Sequence, residues 1–235
     1  MTAYLGANGS WKINSYRNIA GENPFIMPIQ QQLNAPSKYN LETFAGLKGN
    51  FSSQLSYQLN GFYSVVKDMV FYANAYSSTE NIIGNQFVIL RDDAELTGLE
   101  AELSYSLDEK IKISSLLSVV EYDLDQFEYA WHKPSFTYEI SGEYNLQEKI
   151  IAHIDFIGVG KRYASVTGIS NTDNIGLEVE KLKGSLNVNL GAEYRYSKTI
   201  SAFIDIYNLT GSNYNQWLFY PTQKFLLIAG FTYSL

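Results

Sequence analysis

Apolar and polar residues alternate with a period of two along most of this chain, and the alternation divides it into about ten strands. The cleanest run is Leu186 to Tyr196. Leu186, Val188, Leu190, Ala192, Tyr194 and Tyr196 fall on one face, and Ser185, Asn187, Asn189, Glu193 and Arg195 on the other. From Phe136 to Leu146 the apolar face is Phe136, Tyr138, Ile140, Gly142, Tyr144 and Leu146, against Thr137, Glu139, Ser141, Glu143 and Asn145. Leu99, Ala101, Leu103, Tyr105 and Leu107 alternate with Glu100, Glu102, Ser104 and Ser106. Leu55, Tyr57, Leu59, Gly61, Tyr63 and Val65 alternate with Ser56, Gln58, Asn60 and Ser64. The last dozen residues repeat the pattern with Phe225, Leu227, Ala229, Phe231, Tyr233 and Leu235 on one side. Lys110 to Tyr122, where Leu116 and Val120 interrupt the polar face, and Thr2 to Ile13 are weaker cases.

The connections between these runs are of two kinds. Short polar turns fall at Ser52-Ser53, Asp108-Glu109, Gln147-Glu148 and Ser197-Lys198. Longer loops occupy about Asn14 to Ser37, Asn74 to Asn85, Asp125 to His132, Ala164 to Lys181 and Gly211 to Gln223. Short and long connections alternate, which puts all the turns at one end of the sheet and all the loops at the other. Short periplasmic turns with long external loops are the outer-membrane arrangement.

A face carrying Glu and Arg at alternate positions cannot be a sealed core, because an unpaired buried charge costs several kcal/mol or more. Inverted polarity resolves this: the apolar face meets lipid and the charges line a lumen. The sequence therefore predicts an all-β, antiparallel up-and-down transmembrane β-barrel of about ten meander strands. A soluble sheet with one solvated face, as in a sandwich or a lipocalin-like barrel, is the competing arrangement. No stretch approaches the length of apolar sequence that a membrane helix needs, and a closed barrel is the other structure that lipid tolerates.

Composition narrows the function. A net charge of −7 argues against a nucleic-acid surface. The absence of cysteine removes disulfides, thiolate nucleophiles and Cys-ligated metals. The two histidines, His132 and His153, are far apart in sequence, and no metal site or cofactor is implied. Aromatic residues make up 15% of the chain and include 19 Tyr, which suits surfaces that are apolar at one end and wet at the other. The amino terminus lacks a basic region followed by an apolar core, so the sequence reads as a mature or truncated piece of an exported protein.

Four elements carry a family resemblance. Tyr39-Asn40-Leu41-Glu42-Thr43-Phe44-Ala45-Gly46-Leu47-Lys48-Gly49-Asn50-Phe51 leads through Leu55-Ser56-Tyr57 to Gly61-Phe62-Tyr63-Ser64-Val65-Val66-Lys67-Asp68-Met69-Val70. Ala94 to Leu103 contains Gly98-Leu99-Glu100. Ile206-Tyr207-Asn208-Leu209-Thr210 is followed by Tyr214, and the chain ends Gly230-Phe231-Thr232-Tyr233-Ser234-Leu235. Together these resemble the carboxy-terminal barrel of TonB-dependent receptors, with Leu235 where that family usually has Phe. The resemblance implies that residues 1–235 form the carboxy-terminal portion of such a barrel, part of one with roughly twenty-two strands, with no plug domain and no energy-coupling box in this sequence.

The resemblance also implies a setting and a role. The location is the bacterial outer membrane, and the activity is energy-coupled uptake of a scarce solute such as an iron chelate, cobalamin or an oligosaccharide, rather than catalysis. The expected partners are outer-membrane lipid, the missing plug and remaining barrel strands, an inner-membrane energy-coupling complex acting through the plug, and the barrel-assembly machinery through the last strand. Loop aromatics Tyr129, Trp131, His132, Tyr214, Trp217, Phe219 and Tyr220 are candidate ligand contacts. Trp and Tyr at strand ends equally form the interfacial belt of any such barrel. Glu100, Glu102, Glu139, Glu143, Asp155, Glu193 and Arg195 are candidate lumen residues.

Other readings attach to particular residues. Lys67-Asp68 reads as a surface pair worth less than about 1 kcal/mol. Gly46, Gly49, Gly61, Gly98, Gly142 and Gly191 lie inside strands, where they permit curvature or close approach. A rim-active outer-membrane hydrolase would use His132 with Asp123 or Asp125, and His153 with Asp155 could orient a proton. A small autonomous porin-like barrel is the remaining alternative.

Overall fold

The computed structural model describes residues 1–26, 35–76, 86–168 and 177–234. Ten antiparallel strands form one meander: β1 (Thr2–Lys12), β2 (Ser37–Asn50), β3 (Leu55–Tyr76), β4 (Phe87–Leu107), β5 (Ile111–Leu124), β6 (Phe136–Leu146), β7 (Ile150–Val159), β10 (Ser185–Arg195), β11 (Ile200–Tyr207) and β14 (Leu226–Tyr233). Among the described residues β1 and β14 each pair on one side only, so the wall is an open arc. One short helix, α1 (Tyr16–Glu22), lies between β1 and β2. Ser15 caps it, its hydroxyl accepting the Asn18 amide at 3.3 Å. No described helix is long and apolar enough to cross a membrane.

The register places the alternating residues as the sequence predicts. Across β3, β4, β5 and β6 the partners Leu59, Ala101, Leu117 and Tyr138 continue one another. The row Ser56, Ser104, Ser114, Ser141, Asp155 and Asn189 runs on the opposite face from β3 to β10. The apolar face is not sealed against anything. Leu99 is 44% exposed, Leu103 47% and Ile140 41%.

Each tight turn carries its own local chemistry. In two of them a serine hydroxyl accepts backbone amides: Ser52 from Gln54 and Leu55, and Ser197 from Thr199 and Ile200. Gln147 and Glu148 both have positive φ, the backbone of a type I′ hairpin whose twist matches its strands. Asp108 also has positive φ. Gly46 allows a close approach: a Cβ there would run into the Tyr4 ring and stand 2.6 Å from the Leu59 carbonyl oxygen. Gly46→Val is therefore expected to cost about 1–3 kcal/mol through overpacking, read as a lower unfolding temperature in detergent. An unchanged temperature would mean that β1 and β2 simply part to admit the side chain.

The structure departs from the sequence reading at the loop end. β3 and β4 run about twice the nine to eleven residues that a tilted membrane strand needs. Lys67 and Asp68 together stand against Asp93, a β-bulge with Asp68 at φ 54°, and such a bulge bends and twists the strand. Lys67 pairs with Asp93 rather than with its neighbour Asp68. The expected loop from Ala164 to Lys181 contains a hairpin, β8 (Arg162–Gly168) and β9 (Leu177–Leu182). The last loop holds a short ladder, β12 (Asn215–Trp217) with β13 (Tyr220–Pro221). Residues 27–34, 77–85 and 169–176 of the expected loops, and Leu235, lie outside the described residues.

Candidate functional site

Buried side chains concentrate beyond the loop ends of the strands. β2 accompanies β3 only as far as the Lys38–Lys67 pair, which leaves the edge of β3 above the bulge without its wall neighbour. β8 takes that edge, pairing in parallel from Ala73–Ser165 to Tyr76–Gly168. An open edge is a liability, and here a loop hairpin from between β7 and β10 covers it. Segments from five connections therefore meet: α1, the β3–β4 extension, the 125–135 loop, the β8–β9 hairpin and the last loop.

Their shared core is aromatic. Ile19, Ile26, Val70, Tyr72, Phe87, Ile89 and Trp217 form one buried cluster, with Phe25 and Tyr220 packed on it. Trp217 is 9% exposed and sits edge-on to Tyr72 at 5.2 Å and to Phe87 at 5.4 Å. Phe25 and Tyr220 stack at 3.6 Å. Ala164, Leu182 and Leu218 make a smaller cluster between the β8–β9 hairpin and the last loop.

His132 ties these parts together at 5% exposure and φ 61°. Its Nδ1 lies 3.0 Å from the Tyr72 carbonyl, and its Nε2 accepts the Leu218 amide at 3.4 Å. Its own amide donates to the Tyr163 carbonyl at 2.7 Å. This pattern requires a neutral ring with the proton on Nδ1. Burial, together with the cations Arg162 and Lys133 nearby, lowers its pKa to about 4, against the partial pull of the Tyr72 carbonyl. Arg162, also buried, donates to the carbonyls of Gln216 and Asn215 at 2.8 Å each. Lys133 pairs with Glu22 of α1. Burial opposes ionisation of Glu22, but Lys133 overrides it and holds the carboxyl below its ordinary range.

The candidate loop residues fall into two groups. Trp131 (2% exposed), His132 and Trp217 are buried structural members of the loop core. Tyr129 stacks on Tyr163 at 4.0 Å and is half-buried, as are Tyr214 and Tyr220. Phe219 alone of the seven is exposed, at φ 68° between β12 and β13. Tyr72, Phe87, Ile19 and Arg162 were not singled out from the sequence. The clue available was the unbroken apolar run Met69-Val70-Phe71-Tyr72-Ala73 that follows the alternating part of β3.

The charged candidates share the polar face. Glu102, Leu116 and Glu139 stand in register, and Glu143 lies beside Lys112 at 3.3 Å. A groove of about 680 Å³ on this face is lined by Ser56, Ser104, Ser141, Glu143, His153 and Asp155 among others. Glu193 pairs with Arg195 at 3.2 Å.

Neither histidine pairing considered for catalysis forms. Both ring nitrogens of His132 are occupied by backbone groups, while Asp123 and Asp125 lie near Lys67 and Asp93. His153 meets Asp205 at 3.6 Å instead of Asp155. Gly191, between them on β10, has no side chain to keep them apart. Among the described residues no group of three or more His, Asp or Glu is placed to hold a metal ion.

Comparisons with known proteins fit this architecture. No curated protein matches the sequence. Among solved structures, the ferripyoverdine receptor of the outer membrane of Pseudomonas aeruginosa superposes with a TM-score of 0.68 at 15% identity, over 98% of this chain and 30% of the receptor. The copper transporter OprC gives 0.65 at 17% identity, over 99% of this chain and 37% of that one. The ferric-catecholate import receptor Fiu from Escherichia coli K12 gives 0.66 at 12% identity, over 99% and 33%. The chain thus spans about a third of the length of these structures. The family described as TonB dependent receptor-like, beta-barrel, matches residues 9–209, and the chain belongs to that family.

Proposed function

We propose that this chain supplies wall and external loops to an outer-membrane receptor that takes up a scarce solute, an iron chelate, cobalamin or an oligosaccharide, by energy coupling. The observation that carries this reading is the inverted polarity of the sheet: a continuous exposed apolar face backs a face of Ser, Glu and Asp. Lipid covers the first and the second lines the lumen, where Glu100, Glu102, Glu139, Glu143, Asp155, Glu193 and Arg195 stand. The plug and the remaining strands complete the barrel, an inner-membrane complex acts on the plug, and β14 presents the carboxy terminus to the barrel-assembly machinery. Phe219, Tyr214 and Tyr129 are the loop aromatics open to a solute. Trp131, His132 and Trp217 hold those loops in shape.

Adjacent residues on β6 provide the test. In the full receptor, Ile140→Arg puts a charge on the lipid face and is expected to cost about 2–4 kcal/mol, read as weak outer-membrane assembly and a lowered unfolding temperature. Ser141→Arg points into the groove and leaves both unchanged. Equal tolerance of the two substitutions would refute the membrane orientation.

A further inference from the structure

The β8–β9 hairpin has two unlike faces. Arg162, Ala164 and Leu182 point into the loop core and pack on or bond to the last loop. Residues one step out of phase turn the other way, and Lys181 stands opposite Tyr163 in the ladder. Lys161, Lys181 and Lys183 are all exposed, and together they frame an open groove of about 840 Å³. Its floor is Phe136, the first residue of the apolar face of β6, with Gly160 and Gly184 beside it. No carboxylate lines this groove among the described residues. Lys67, Lys112 and Lys133, by contrast, each stand against a carboxylate. The groove lies over β6, β7 and β10 in the middle of the arc, so every strand flanking it is present.

The geometry points to a binding site for the phosphorylated headgroup of an anionic lipid, at the external edge of the lipid-facing wall. An apolar floor continuous with the membrane face takes the upper part of the acyl chains, and three ammonium groups surround the phosphate. Cations gathered where an apolar surface meets water are the general means of holding such headgroups. A soluble anion would use the lysines but not the floor. This assignment rests on the outer-membrane location proposed above, and it adds a specific lipid to a wall otherwise covered nonspecifically.

The test uses the full receptor, extracted from outer membranes in mild detergent and stripped of lipid. Native mass spectrometry then counts bound phosphatidylglycerol and phosphatidylcholine. The wild type is expected to prefer the anionic lipid by about tenfold, with the preference falling as salt rises. Joint substitution of Lys161→Gln, Lys181→Gln and Lys183→Gln abolishes the preference, joint substitution of the same three by Arg keeps it, and Lys198→Gln at the opposite end changes nothing. Inorganic phosphate does not displace the lipid. A preference that survives the Gln substitutions, or is lost equally with Arg, overturns the assignment, and displacement by phosphate reduces the groove to a simple anion site. A receptor absent from the outer membrane overturns the transport reading and this one with it, whereas a correctly localised receptor indifferent to the lysines overturns this one alone.

Discussion

Trp217→Ala is expected to unfasten the external loops while leaving the membrane wall intact. The indole, from the last loop, is the common neighbour of Tyr72 and Phe87 of the β3–β4 extension and of His132 in the 125–135 loop. Truncating a buried Trp costs about 3–5 kcal/mol, the sum of lost apolar burial and the cavity left behind. The cluster is small, with seven buried members, so the loss of the indole removes a large share of its packing. Hydrogen exchange provides the measurement. Protection should fall by orders of magnitude in residues 16–26, 70–76 and 215–221, and stay unchanged in β6 and β7. Uniform protection across the loops in the variant would show that Trp217 does not hold them together.

Acid should loosen the same region, and the sign follows from His132. Its pKa is about 4 when the loops are packed and about 6.5 when it is exposed. The opened state therefore takes up the proton first. Loop packing is at full strength above pH 6.5, weakens as pH falls from 6.5 toward 4, and is level below that. The 2.5-unit difference corresponds to roughly 3 kcal/mol. Protonation also turns Nε2 into a donor facing the Leu218 amide, so the bond to the last loop becomes a clash of donors. The cations beside the ring, Arg162 and Lys133, act in the same direction, and Glu22 is already engaged by Lys133. That Glu22–Lys133 pair weakens in a separate window, below the ordinary carboxylate value of 4.5, since its folded pKa is depressed. Proteolysis of the loops between pH 7.5 and 4 reads the effect. His132→Leu should open them equally across that range. A wild-type profile as flat as that of the variant would rule out the histidine as the pH-sensitive element.

The wall was legible in the sequence because its two solvents differ at every step. Leu186 to Arg195 reads as a strand from polarity alone, and the Ser52-Ser53 turn is marked by a serine that accepts backbone amides, whereas the positive φ of Gln147 and Glu148 is not signalled by those residue types. The loop core was not legible, because it is assembled from segments nearly 200 residues apart, such as Ile19 and Trp217, none of which has a periodic pattern of its own. The seven loop aromatics could be recognised as a set, yet their division into buried members and exposed ones depends on β8 crossing to β3. A parallel pairing between residues 73–76 and 165–168 leaves no local signal. His153 shows the same limit on a smaller scale. Its partner Asp205 lies two strands away and becomes reachable only through Gly191.

The reach of β8 to β3 also sets how the mouth can move. The hairpin is anchored at its base beside β7 and β10 and tied at its far end to a strand four places along the arc, so it acts as a crossbeam between two parts of the rim. A crossbeam of backbone hydrogen bonds stretches very little before it parts. Separating these two parts of the rim therefore requires those backbone bonds to part together.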